Sequence, residues 1–279
     1  MANIDLTRIR SNIQGLNILH NLRGVNSELA THQLRIGTGK RINNAGDDPA
    51  GLTISTKLRS RYQVLGQVFD NISQAKNMLS VAEGALLNVN DILTTMNEKI
   101  VMAASDTLGD AERKAVSQQL VMLVAEINDI AEQTEFNGVT LIDSTKTFNF
   151  QTGPENQTSW TTSAFDTTTL NMSYMTGLQS TDIINSANYT NYFSEVQAAI
   201  DVVSNGLVVL GSLANRFTAK EDMISVARNN TEAAYNRIFN ADMAQEQIEV
   251  TKNQILQQTS FGMLAQANVN SQSVLALFQ

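Results

Sequence analysis

Apolar positions recur alternately every three and four residues over most of this chain. The longest run is Leu65, Val68, Ile72, Ala75, Leu79, Ala82, Leu86, Val89, Leu93, Met96 and Ile100, with no polar residue in it. Leu58 and Ile54 extend it backwards, and Arg61 interrupts it. A sustained a/d seam of roughly six heptads predicts one long helix packed in a coiled-coil manner. A shorter seam follows at Val116, Leu120, Leu123, Ile127 and Ile130. Asp110 and Glu112 stand near its start, where acids complement the helix dipole. A third seam runs Val196, Ala199, Val203, Gly206, Leu210, Leu213, Phe217, Lys220, Ile224, Ala227, Thr231, Ala234 and Ile238; only Gly206, Lys220 and Thr231 depart from apolar. A helix of about 40 residues spans roughly 60 Å, which matches the first seam, so the two are expected to pair.

The boundaries are written locally. Asn44-Ala-Gly-Asp-Asp-Pro-Ala-Gly-Leu52 reads as a turn into the first long helix. Asp48 suits the N-cap, accepting from free backbone N–H groups, and Pro49 suits the first helical position, where its missing N–H costs nothing. The adjacent carboxylates Asp47 and Asp48 could also ligate a metal, but capping is the simpler role. Asn137-Gly138 breaks the second helix, and Val139–Ile142 reads as a short strand after it. From 144 to about 191 helical periodicity fades into a Thr-rich stretch holding Trp160. Thr147–Gln151 and Thr169–Tyr174 alternate like edge strands, and Gly153-Pro154 marks a turn. The expectation is a small β-rich insert at 144–191 resting on the helices.

Both ends carry amphipathic stripes. Near the start these are Ile18, Leu22, Val25, Leu29 and Ile36, with His32 at a seam position. Near the finish they are Leu256, Met263, Ala267, Val274 and Leu277, with Leu264 in the same segment. A lone pair of such helices would expose apolar stripes that stable monomers avoid. They either close a large bundle or pack against copies of the chain. The expected fold class is therefore mainly α, with long antiparallel coiled-coil helices, terminal helices forming an inner coiled coil, and the β-rich insert. The expected division is 1–40 with 240–279, 41–143 with 192–239, and 144–191.

Composition narrows the function. Lys and Arg number 19 against 27 Asp and Glu, a net charge of −8, and aromatics are 6%. Such a chain is a poor nucleic-acid binder, because phosphate contacts need clustered cations. With no Cys, disulfides, thiolate metal sites and a cysteine nucleophile are excluded. Two histidines, His20 and His32, leave little room for a histidine metal site or acid–base chemistry. Gly37-Thr-Gly-Lys40 only superficially resembles a phosphate loop: Leu34 stands where the motif needs Gly, and Arg41 where it needs Ser or Thr. No enzyme, metal or cofactor is expected. The longest apolar run, Gly206–Ala214, is about half of a membrane span, so no span is expected. The N-terminus lacks a secretory-type apolar core, leaving a cytoplasmic location or export without a cleaved signal.

Six short runs together resemble bacterial flagellin. Arg35-Ile-Gly-Thr-Gly-Lys-Arg-Ile-Asn-Asn-Ala-Gly-Asp-Asp-Pro-Ala-Gly-Leu52 is similar to that family's "RLSSGxRINSAxDDxAG". Ala82-Glu-Gly-Ala-Leu86 is similar to "TEGAL", and Gln133-Thr-Glu-Phe-Asn-Gly138 to "QTxFNG". Gln254-Ile-Leu-Gln-Gln-Thr259 and Leu264-Ala-Gln-Ala-Asn268 resemble "QILQQAG" and "LAQAN", and Ser273-Val-Leu-Ala-Leu277 resembles "NVLSLL". They occur in family order over about 1–143 and 192–279; the insert matches nothing, as that family's variable surface region would.

The resemblance implies a structural subunit that self-assembles into the extracellular filament of the bacterial flagellum. Its implied partners are other flagellin copies, the flagellar type III export apparatus and an export chaperone, and the filament cap and hook–filament junction proteins. It implies termini that are disordered in the free subunit and fold on assembly. The stripe residues named above would form the assembly interface, and Asp47, Asp48 and Pro49 the cap and turn. Gly37, Gly39 and Gly46 are candidate hinges or ordinary turn glycines. The alternative is a hook–filament junction protein of the same superfamily. The chain departs from the family in ending Phe278-Gln279, and in carrying Thr95 and Gln119 where many members have an arginine and an acid. In enteric flagellins those surfaces meet an innate immune Toll-like receptor, so weak activation is expected in a reporter-cell assay.

Overall fold

The computed structural model describes residues 12–276 except 180, 181, 183, 185 and 186, with side chains described through 269. In chain order the elements are α1 (Ile13–Thr38), α2 (Pro49–Ala103), α3 (Asp110–Gln133), β1 (Glu135–Phe136), β2 (Val139–Thr140), β3 (Thr147–Gln151), β4 (Gln157–Thr161), α4 (Ser173–Gly177), α5 (Tyr189–Phe239) and α6 (Met243–Ala276). The chain divides into two compact units, Met1–Tyr62 with Asn230–Gln279, and Gln63–Asn229. These boundaries fall inside α2 and α5, not at the turns near 40 and 240.

The unit Gln63–Asn229 holds the main core. Every position of the Leu65–Ile100 seam is at most 3% exposed. Facing it are Val196, Ala199, Val203, Leu210, Leu213 and Phe217 of α5, and Val116, Leu120, Val124, Ile127 and Ala131 of α3. Leu123 and Ile130 are only half-buried, because 3.6 residues per turn carries a strict seven-residue repeat off the contact line. Lys76 bridges Glu221 at 2.7 Å, and Asn97 donates to Gln197 at 3.5 Å, so α2 and α5 run antiparallel. By length and composition α5 is apolar enough to cross a membrane, reaching a mean hydropathy of 1.5 over 18 residues. That average, taken over a window, passes where the expectation of no span rested on an unbroken apolar run. Its seam lies in the bundle core.

The insert packs on this bundle. β1 and β2 pair antiparallel across Asn137 (φ 53°) and Gly138 (φ 75°), the two positive φ values a type I′ hairpin turn requires. β3 and β4 form the second hairpin, with Phe148 stacked on Trp160 at 5.6 Å between centroids. Phe150 meets Phe217 of α5 edge-on at 5.4 Å, and Lys220 Nζ donates to Thr152 at 2.9 Å. Lys220 and Gly206, the two breaks of the α5 seam within this unit, are thus where the insert docks: Phe165 and Leu86 fill the space a side chain at 206 would take.

One expectation for the insert fails, and one strand goes unforeseen. The strand expected at Thr169–Tyr174 is a turn followed by α4. Asp166 accepts from the Thr169 N–H, Asn171 adopts φ 56°, and the Glu195 carboxylate accepts from the N–H groups of Tyr174 and Met175, so local polar capping overrides the alternation. β4 was not anticipated, since Gln-Thr-Ser-Trp-Thr shows its buried alternation only through Thr158 and Trp160.

Candidate assembly surface

The unit Met1–Tyr62 with Asn230–Gln279 is built on α1 and α6. Asn12 donates to Asn268 at 3.3 Å, Gln257 to Asn26 at 2.7 Å, and His32 meets Glu246 at 2.5 Å. The pairing numbers fall as α1 rises, so the two helices are antiparallel. Asn12 caps α1 by accepting from Gly15 N–H, and Asp242 caps α6 by accepting from Ala244 and Gln245.

The face that α1 turns to α6 carries the expected stripe. Ile18, Leu22 and Leu29 are buried, and Val25, His32 and Ile36 half-buried, at alternating spacings of three and four. The answering stripe of α6 is Glu246, Val250, Asn253, Gln257, Ser260, Leu264 and Ala267, mostly small or polar. Leu264 and Ala267 thus face inwards, whereas Leu256 and Met263 are 42% and 52% exposed and point away from α1. Val274 and Leu277 lie outside the described side chains. Sequence reading missed Ile248, Ile255, Phe261 and Val269, which are exposed with Leu256 and Met263. The signal was present: the apolar residues of this segment do not share one heptad phase.

The connector between α1 and α2 is closely stitched. Gly39 ends α1 in the left-handed conformation (φ 70°), its N–H donating to Arg35 O at 2.8 Å, a conformation a side chain would strain. Arg41 donates through Nε and Nη2 to Ile238 O at 3.0 and 2.9 Å, and through Nη2 to Asp48 at 3.2 Å. Ala241 N–H donates back to Gly39 O at 3.0 Å. Asp48 accepts from Gly51 N–H at 2.8 Å, with Pro49 opening α2. Asp47 accepts from the N–H groups of Asn43 and Asn44, both at 2.9 Å. Backbone donors therefore hold both carboxyls below the ordinary value of 3.8, from Asn44 and Asn43 for Asp47, and from Gly51 with help from Arg41 for Asp48. Gly37 is an exposed helical residue of α1 and Gly46 an exposed turn residue with open space around it. Among the described residues no group of three or more His, Cys, Asp or Glu is placed to hold a metal ion.

Two family models match this chain: the bacterial flagellin N-terminal helical region over residues 9–147, and the C-terminal helical region over 193–278. The chain belongs to the flagellin family. It is a structural filament protein of that family and not an enzyme. The flagellin of Halalkalibacterium halodurans is 34% identical over 274 residues, covering 97% of this chain and 99% of the relative. That of Bacillus subtilis is 32% identical over 304 residues, covering 98% and 100%. A solved structure of a hook-associated protein from Vibrio parahaemolyticus shares the fold at a TM-score of 0.61 and 13% identity, covering 70% of this chain and all of that one. The stretch between the two matched regions is 148–192.

Proposed function

We propose that this flagellin polymerises through the outward apolar face of α6, with Leu256 and Met263 joined by Ile248, Ile255 and Phe261. The carrying observation is that α6 places mostly small and polar residues against α1 and exposes most of its large apolar ones. Exposed apolar area of this kind marks an interaction surface. A different face of a second copy is the natural cover in a family whose members form filaments. Contacts that join different faces of successive copies do not close, and so give fibres instead of rings.

The α1 stripe Ile18, Leu22, Val25, Leu29 and Ile36 acts within this assembly by holding α6 in place. The terminal helices 1–40 and 240–279 are the inner part of the filament, 41–143 with 192–239 the bundle around it, and 144–191 the solvent-facing part. The protein is exported to the flagellum. It meets the type III export apparatus and chaperone on the way, and the cap and junction proteins at the filament ends. Gly37, Gly39 and Gly46 offer backbone freedom beside the connector. Pelleting and negative-stain microscopy of purified chain, with and without short filament seeds, tests the central reading. Long filaments are expected; persistent monomer with intact termini by mass spectrometry overturns it.

A further inference from the structure

The α1–α6 pair poses a register problem. The α1 knobs Ile18, Leu22, Val25 and Leu29 repeat, and the α6 stripe they meet is mostly small or polar, with Val250 and Leu264 its larger apolar members. Such a seam packs almost equally well after a slip of one helical turn, about 5–6 Å. The connector restrains the near end of the pair through a single bridge, Lys40 with Asn240, and the Arg41 contacts. One feature of the stripe does not repeat. Glu246 is the one charged member of that stripe among the described residues, and its side chain is 11% exposed. It meets His32 Nδ1 at 2.5 Å and Arg35 Nη1 at 3.4 Å. His32 is in turn the one titratable residue in the α1 stripe. Arg35 Nη1 pairs with Glu246 while its buried Nε makes no hydrogen bond.

We propose that His32, Arg35 and Glu246 form the specificity-determining cluster that sets the register of α1 against α6. A one-turn slip in either direction would carry Glu246 away from His32 and against Leu29 or Ile36. A carboxylate buried against an aliphatic side chain is costly, whereas the paired one is tolerated, so the cluster acts mainly by penalising wrong registers. A rival role is simple complementation of the α6 dipole by a first-turn acid. That role would raise helix content without choosing a register. The proposal extends the assembly reading, because register sets the axial height at which Ile255 and Phe261 are presented.

The chain has no native cysteine, which makes disulfide mapping direct. Three full-length double variants would be oxidised: Asn26→Cys with Gln257→Cys for the observed register, and Asn26→Cys with Asn253→Cys or Ser260→Cys for one-turn slips. The observed pair should crosslink about tenfold more than either slipped pair. Adding Glu246→Leu should raise the slipped products about tenfold relative to the observed one. Unchanged selectivity with Glu246→Leu overturns the proposal. So does loss of all three crosslinks at intact helix content by circular dichroism, which would assign the cluster to holding the helices together. If Glu246→Leu fails to fold, the exchange His32→Glu with Glu246→His must keep the single register; slipped products in that folded exchange overturn the proposal. Crosslinking is intramolecular, so unseeded or failed polymerisation bears on the assembly reading and leaves this result readable.

Discussion

The two units solve the same helical pattern in opposite ways. In Gln63–Asn229 the seams of α2, α3 and α5 meet one another, and Ile72, Leu93, Met96 and Phe217 are completely buried. In the terminal unit α1 buries its stripe, but α6 spends its small and polar residues on that contact and leaves Ile248, Ile255, Phe261 and Met263 in the open. The first arrangement completes a core. The second leaves one unfinished, and an unfinished core is what a polymer needs: enough pairing to orient a helix, and enough exposed apolar area to need a neighbour.

The largest expected effect follows from that contrast. Deleting residues 1–30 or 250–279 should abolish filament formation in a pelleting assay while the cooperative melting of the bundle unit survives; filaments formed by either truncated chain would break the comparison. Phe261→Asp or Ile255→Asp should have the same effect on pelleting with no change in melting, because those side chains are already in water in the single chain. The reverse should hold in the bundle. Ile72→Ala removes a side chain with no exposed surface, and should lower bundle stability by about 2–5 kcal/mol in denaturant titration. A loss below 1 kcal/mol would mean that this core relaxes around the cavity.

How far the sequence announced this structure differs between the same regions. Long seams were legible because each position of a buried heptad must be apolar, and a run from Leu65 to Ile100 leaves no second interpretation. The caps at Asp48 and Pro49 and the turn at Asn137-Gly138 were legible for a related reason: few residues satisfy those backbone demands. The α4 region was misread, since alternation in Thr169–Tyr174 loses to a distant carboxylate, Glu195, that no local pattern reveals. The assembly face was half legible. A single heptad phase through Leu256, Met263 and Ala267 was the simplest reading, but Ala267 lies inside and the other two outside. Burial in α6 depends on what α1 offers, a tertiary fact absent from either segment alone.

Glycines in α5 sharpen the contrast on a finer scale. A Cβ at Gly206 would lie 2.6 Å from Cζ of the buried Phe165 ring, and one at Gly211 would meet nothing within 4 Å. Both gain helix propensity on becoming alanine, worth roughly 0.5–1 kcal/mol. At Gly206 the displaced ring costs about 1–3 kcal/mol. Gly206→Ala should therefore lower bundle stability by about 1 kcal/mol and Gly211→Ala raise it by about 0.5–1 kcal/mol. Equal signs would show that the insert yields at its docking point.

The smallest effect lies in the connector and is read through pH. The carboxyl of Asp48 is held below 3.8 in the folded chain, chiefly by the Gly51 N–H. A carboxyl with a depressed folded value contributes stability that is fully present above the unfolded value, and that disappears as pH falls through the folded one. Asp48→Asn keeps an oxygen for Gly51 but discards the charge that faces Arg41. Its cost should appear around neutral pH and vanish well below 3.8, where the native aspartic acid is also neutral. Asp48→Ala discards the acceptor as well, and should remain weaker than the parent at both ends of the titration. Hydrogen exchange at the Gly51 amide reads both variants directly. No difference for Asp48→Asn at any pH would show that the side-chain oxygen accepting from the Gly51 N–H, and not the charge it carries, holds the start of α2.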